Sequence, residues 1–136
     1  MNINAKELMT ENVATVSAET SLAAALEIMQ EKNIRHLPVV REQQLVGMLS
    51  DRDLRGLGLR LVVDMESLER LESKLGATVG SLMSSNLLTV TEIAELEEIL
   101  DLFVDEHVGA VPVVEGEKLL GIISYVDVLR AVRDQL

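Results

Sequence analysis

Leu22, Ala25, Leu26 and Met29 stand three and four residues apart, and polar Glu27, Gln30 and Glu31 fill positions between and beyond them. That period predicts an amphipathic helix, capped by Thr20 or Ser21 and running to about Asn33. The pattern then changes. From His36 to Val40 the chain is mostly apolar, as a buried strand requires, with Pro38 near its start where a missing N–H is tolerated. Polar Arg41 to Gln44 predicts a hairpin turn, and Leu45 to Leu49 a returning strand. Asp53 to Leu57 opens a further helix. Upstream, Asn4 with Glu7 predicts a capped short helix through Leu8 and Met9, and Val13 to Val16 is a short strand candidate.

The same order occurs a second time. A displacement of 74 positions, the distance from Leu8 to Leu82, superposes Leu8-Met9 on Leu82-Met83 and Thr15-Val16 on Thr89-Val90. It also superposes Leu22 on Leu96, Leu26 on Leu100, and Pro38-Val39-Val40 on Pro112-Val113-Val114. It continues through Leu45, Gly47, Ser50 and Asp53 onto Leu119, Gly121, Ser124 and Asp127. About 48 positions align without a gap and roughly 14 are identical, so the chain is a tandem duplication.

The second copy predicts elements at Val79 to Met83, Leu87 to Val90, Glu95 to Glu106, Ala110 to Val114, Leu119 to Ile123 and Tyr125 to Val132. Its long helix starts near Ala94 without a capping side chain, although Glu95, Glu97 and Glu98 suit the N-terminal dipole. Each copy is thus a β-α-β-β-α unit in an α/β (α+β) fold, too small to cover its own apolar surface, so the copies should pack together. The predicted division is repeat 1 over 1–59, a helical linker over 60–76 and repeat 2 over 77–136. The linker has no counterpart. Leu61, Met65, Leu68, Leu71 and Leu75 fall at helical spacing, and Gly76 is placed to end the helix. It is read as a connecting helix, with a partner-binding or dimer-building role as the alternative.

Both copies end in a glycine, two apolar residues, a serine and, three residues later, an aspartate: Gly47 to Asp53 and Gly121 to Asp127. A strand entering a helix there would leave backbone N–H groups free to hold an anion. Serine three residues before an acid is also a helix cap, and the two readings are compatible. The serine hydroxyl suits a phosphate, and the aspartate's two acceptor oxygens suit paired ribose hydroxyls.

Composition narrows the chemistry. The 136 residues are 48% hydrophobic, yet no apolar run approaches the ~20 residues of a membrane span, and the N-terminus lacks the regions of a signal peptide. A cytoplasmic location is the expectation. With no cysteine, thiol catalysis, disulfides and cysteine-bound metals are excluded. A net charge of −11 argues against general nucleic-acid binding, and Phe103 and Tyr125 alone make no stacking platform. His36 and His107 do not align, which makes a metal site a poor reading. No triad ordering, carboxylate pair in a pocket context or phosphate-cradling glycine loop is present, so no catalytic residue is assigned.

The ordered motifs resemble the cystathionine-β-synthase (CBS) domain family. They are Leu8-Met9-Thr10, Thr15-Val16, Arg35 to Val40 and Gly47 to Leu54, then Leu82-Met83-Ser84, Gly109 to Val114 and Gly121 to Asp127. The chain looks like a stand-alone pair of CBS domains, a Bateman module. The resemblance implies two repeats packed about a pseudo-twofold axis, two clefts between them, frequent homodimers, and an adenine nucleotide (AMP, ADP, ATP) or other adenosyl ligand as regulatory signal. For the first site it implies Thr10, Val13, Thr15, Arg35, His36, Leu37, Pro38, Ser50, Arg52 and Asp53. For the second it implies Ser84, Leu87, Thr89, Gly109, Ala110, Val111, Pro112, Ser124 and Asp127.

The two sites are unequally equipped. The first has Arg52, Arg55 and the Arg35-His36 pair, and arginine offers fork-shaped donation to phosphate. The second has Tyr125 and Val126 after its serine and Gly109-Ala110 before its strand, so it suits a less charged adenosyl ligand or stays empty. The expectation is a non-enzymatic sensor with an unknown regulated protein as partner. The alternative is a ligand-free interaction module acting through dimerisation or the 60–76 helix.

Overall fold

The computed structural model describes residues 2–55 and 77–136. The predicted 60–76 helix therefore lies outside the described residues. In chain order the elements are α1 (Ala5–Leu8), α2 (Leu22–Lys32), β1 (His36–Arg41), β2 (Gln44–Ser50), α3 (Asp51–Arg55), α4 (Val79–Leu82), α5 (Leu96–Asp105), β3 (Ala110–Glu115), β4 (Lys118–Ser124) and α6 (Tyr125–Gln135). The two predicted strands Val13 to Val16 and Leu87 to Val90 shrink to single bridging residues, Val16 on Val39 and Val90 on Val113. Each stretch offers one bridging residue, and its flanks turn away too soon for a ladder.

Local chemistry accounts for the element ends. Asn4 and Glu7 form the reciprocal capping box of α1, and the Ser21 hydroxyl, rather than Thr20, accepts from Ala24 N to start α2. Helix α5 begins at Leu96, not Ala94; its cap residue Glu95 makes no side-chain cap bond, and Ala94 is buried. Equivalent positions close the two long helices: Asn33 (φ 52°) after α2 and His107 (φ 55°) after α5 take the left-handed conformation. Asn and His are among the side chains that tolerate it, which gives His107 a backbone role. The β1–β2 turn places Glu42 and Gln43 at positive φ, as a tight hairpin demands.

Contacts divide the chain into two compact units whose borders differ from those of the sequence repeats. Unit 1 comprises Met1–Val13 with Leu88–Leu136, and unit 2 comprises Ala14–Leu87. In unit 2, β1 and β2 form an antiparallel hairpin with a bulge after Val39; Val16 adds in parallel to β1, and Ser84 pairs with Met48 on β2. Its core is Leu22, Ala25, Leu26 and Met29 of α2 against Leu37, Val39, Leu49, Leu54 and Val79. Unit 1 repeats the plan with β3 and β4, a bulge after Val113, Val90 beside β3, and Thr10 paired with Ile122 on β4. Ala5 and Leu8 of α1 join Ile99, Phe103, Val111, Val113, Ile123 and Val128 in its core.

Glycine permits the added segment in each unit. A Cβ on Gly121 would lie 2.8 Å from both Thr10 O and Met9 Sδ, and one on Gly47 would meet Met83 and Ser84 O. Only a residue without a side chain lets the crossing backbone approach this closely.

Candidate functional site

In unit 2 the strand-to-helix corner is built around Asp53. Ser50 N and Ser50 Oγ both donate to Asp53 Oδ2 at 2.9 Å, and Asp53 N donates back to Ser50 Oγ at 3.1 Å. The serine–aspartate motif is thus a reciprocal cap, and the Ser50 proton is spent on Asp53. Ser84 Oγ donates to the other oxygen, Oδ1, at 3.2 Å. Three donors hold the carboxylate, which keeps acceptor capacity to spare.

A charged cluster lies beside it. Arg35 Nη1 is 3.2 Å and Arg55 Nε 3.6 Å from the same atom, Asp51 Oδ2. Asp51 N also donates to Arg35 O at 2.9 Å, which pins the strand entry to the helix start. The two arginine side chains are about two-thirds exposed, so water screens these pairs. His36 sits opposite Ser50 in the β1–β2 register and titrates below its ordinary value. Burial is the main cause, Arg52 and then Arg35 repel the imidazolium as well, and Asp51 and Asp53 oppose the shift. The same interactions show that Arg35, His36, Asp51, Arg52 and Asp53 share one corner.

In unit 1 the cap recurs: Ser124 N donates to Asp127 Oδ2 at 2.8 Å, Ser124 Oγ donates to it at 3.1 Å, and Asp127 N returns at 3.4 Å. Thr10 Oγ1 donates to Asp127 Oδ1 at 3.1 Å, and Arg130 lies 3.7 Å from that oxygen. The flanking cluster is different. Tyr125, at the position of Asp51, donates its hydroxyl to Val108 O at 3.1 Å and rests on Phe103 with ring centroids 4.7 Å apart. At this position aromatic packing stands where unit 2 has the ion pairs of Asp51.

The structure therefore redistributes the expected site residues. Thr10 and Val13, expected with Ser50 and Asp53, belong to unit 1, and Thr10 bonds Asp127. Ser84 and Leu87, expected with Ser124 and Asp127, belong to unit 2, and Ser84 bonds Asp53. Thr15, Arg35, His36, Leu37 and Pro38 stay with Ser50, Arg52 and Asp53, while Thr89, Gly109, Ala110, Val111 and Pro112 stay with Ser124 and Asp127. Leu37, Pro38, Val111 and Pro112 are buried in the strands. Asp51 belongs to neither expected set, although the register of the repeat places it beside Ser50, whereas Arg55 and Tyr125 are the flanking residues that the sequence already marks at the two corners. Among the described residues no three of His, Asp and Glu gather as a metal ion requires.

This duplicated strand–helix plan with its serine–aspartate caps defines a class. The CBS-domain family model matches residues 5–60 and 79–134, and the chain belongs to that family as a tandem pair, a Bateman module. It is 34% identical to CBSX2, a chloroplastic CBS domain-containing protein of Arabidopsis thaliana, over 89% of this chain and 59% of that protein. A crystal structure of CBSX2 in complex with AMP superposes with a TM-score of 0.81, covering 97% of each chain at 34% identity. Hypoxic response protein 1 of Mycobacterium tuberculosis is 31% identical over 93% of this chain and 82% of its own length. A structure of Hypoxic Response Protein I with two coordinated zinc ions superposes at TM-score 0.72 and 30% identity, covering 95% and 98% of the two chains. The chain spans 48% of the length of MJ1225, an uncharacterized protein of Methanocaldococcus jannaschii, at 30% identity over 93% of this chain. No helix among the described residues is long and apolar enough to cross a membrane.

Proposed function

We propose that this protein is a non-enzymatic, cytoplasmic regulatory module whose signal is an adenine nucleotide of the AMP, ADP or ATP class, held at the unit 2 corner. The observation that carries this reading is the gathering of Arg35, His36, Arg52 and Arg55 around two carboxylates at the end of β2. The AMP complex of CBSX2, at 34% identity, supports the choice of ligand. Because Ser50 is committed to Asp53, phosphate is taken by the guanidiniums, and the spare lone pairs of Asp53 receive ribose hydroxyls. The unit 1 corner, with Tyr125 and Val126 at the positions of Asp51 and Arg52, takes a less charged adenosyl ligand or none. Binding favours one conformation of a homodimeric module, and a regulated protein reads that conformation. A ligand moves such an equilibrium only by its difference in affinity for the two states.

Calorimetric titration and thermal melting with adenosine, AMP, ADP, ATP, NADH and S-adenosylmethionine test this. The melting temperature should rise with at least one adenine nucleotide, as mass action requires of a ligand specific to the folded state. Arg52→Ala should weaken AMP roughly tenfold, in line with a charge-assisted hydrogen bond, and adenosine much less. Asp53→Ala should weaken both alike. Absence of any shift at millimolar ligand would favour a ligand-free interaction module instead.

A further inference from the structure

The residue after each capping serine ties the strand entry to the helix start, and the two units do this by different means. In unit 2, Asp51 N donates to Arg35 O at 2.9 Å. In unit 1, the Tyr125 hydroxyl donates to Val108 O at 3.1 Å, one residue before the match of Arg35. A backbone amide serves in one unit and an uncharged phenol in the other, so neither tie needs a carboxylate. The Asp51 side chain answers to something else. Its Oδ2 alone faces Arg35 Nη1 at 3.2 Å and Arg55 Nε at 3.6 Å. That side chain is 15% exposed, while those of the arginines are 65% and 63% exposed. One well-covered anion thus gathers two guanidiniums that face water. A guanidinium carries five donors, so each fork has others to offer a phosphate.

The carboxylate also sets the charge of the corner. Arg35, Arg52 and Arg55 outnumber Asp51 and Asp53 by one, and His36, titrating below 6.5, is neutral at pH 7. A terminal phosphate brings a charge of about −1.5 to −2, and ADP and ATP bring more. A small positive excess suits one phosphate, whereas further phosphates meet the Asp51 carboxylate as a like charge. We propose that Asp51 is a specificity-determining residue: it draws Arg35 and Arg55 onto one phosphate and repels additional ones, so that the corner selects AMP over ADP and ATP. This rests on the adenine-nucleotide reading above and names the member of that class the corner takes.

Calorimetric titration of the full chain with adenosine, AMP and ATP, at low salt and without divalent cations, tests it in the parent, Asp51→Asn and Asp51→Glu. The parent should bind AMP more tightly than ATP. Asp51→Asn should move the ratio of the two affinities toward ATP by roughly fivefold, the Coulomb effect of two added charges about 8 Å away through water, and leave adenosine unchanged. At about 0.5 M salt that shift should shrink. Asp51→Glu keeps the charge and should keep the parent's preference. Tyrosine at the matching position of unit 1 shows that the framework forms without this carboxylate, and melting curves should confirm folding of both variants. A purely structural Asp51 would weaken all three ligands alike. A parent that prefers ATP, an unchanged ratio in Asp51→Asn, or an equal shift in Asp51→Glu overturns the role of Asp51 and leaves the nucleotide reading standing. A parent that binds none of the three overturns both.

Discussion

Units 1 and 2 share a framework and differ in what they present at one corner. Both cap a helix with serine and aspartate, both fix the aspartate's second oxygen with a hydroxyl from a distant segment, and both admit that segment across a glycine. Around this common frame, unit 2 sets Arg35, Asp51, Arg52 and Arg55, where unit 1 sets Gly109, Tyr125, Val126 and Leu129. Side chains outside the core are free of the packing constraint that holds the framework. After duplication the two corners are therefore free to diverge in charge while the shared cap keeps the framework of both.

The largest expected contrast lies between Leu26 and Leu100, which occupy matching helix positions. Leu26 is 1% exposed and Leu100 36%. Leu26→Ala should cost about 2–5 kcal/mol by chemical denaturation, the range for a fully packed leucine, while Leu100→Ala in monomeric protein should cost under about 1 kcal/mol. Equal losses would mean that the two helices are packed alike.

A smaller effect tests the aromatic closure of unit 1. Tyr125→Phe keeps the ring on Phe103 and removes the hydrogen bond to Val108 O. The expected loss is about 0.5–1 kcal/mol, toward the low end for a hydrogen bond because the residue is half exposed. Asp51→Ala, which removes the matching side chain in unit 2, should change stability by a similar or smaller amount, since its partners are screened. A cost for Asp51→Ala well above that of Tyr125→Phe would make the ion-pair cluster the stronger of the two closures.

The subtlest difference is titration at His36, whose match in unit 1 is Ala110. The His36 pKa is lowered by burial and by Arg52, so the unfolded chain binds a proton at a higher pH than the folded one. Stability is then full above the ordinary value of 6.5 and falls as pH drops from there through the lowered folded pKa. His36→Asn should flatten the dependence of melting temperature on pH in that window. A variant with the parent's slope would show that His36 contributes nothing to it.

Much of this was legible in the chain itself. Apolar period gave α2, α5 and the hairpins to within a residue or two, and Asn4–Glu7 announced its cap, because these depend on neighbours close in sequence. The starts of α3 and α5 moved by two residues, since their caps are set by the strand leaving Ser50 and by burial of Ala94. The allocation of Thr10 and Ser84 could not be read. Both precede a matching segment, and Gly47 and Gly121 announce a close backbone approach without saying whose backbone arrives.

The duplication, the CBS family and the unequal charge of the two corners follow from the amino-acid sequence alone, because a repeat in register shows them position by position. Tertiary structure decided which segment completes each corner. A short stretch such as Met9-Thr10 or Met83-Ser84 has no local preference between two equivalent strands, and only long-range pairing with Ile122 or Met48 resolves the choice. It also decided which apolar residues are core and which are surface, because helical period marks a face and only packing determines whether that face is covered.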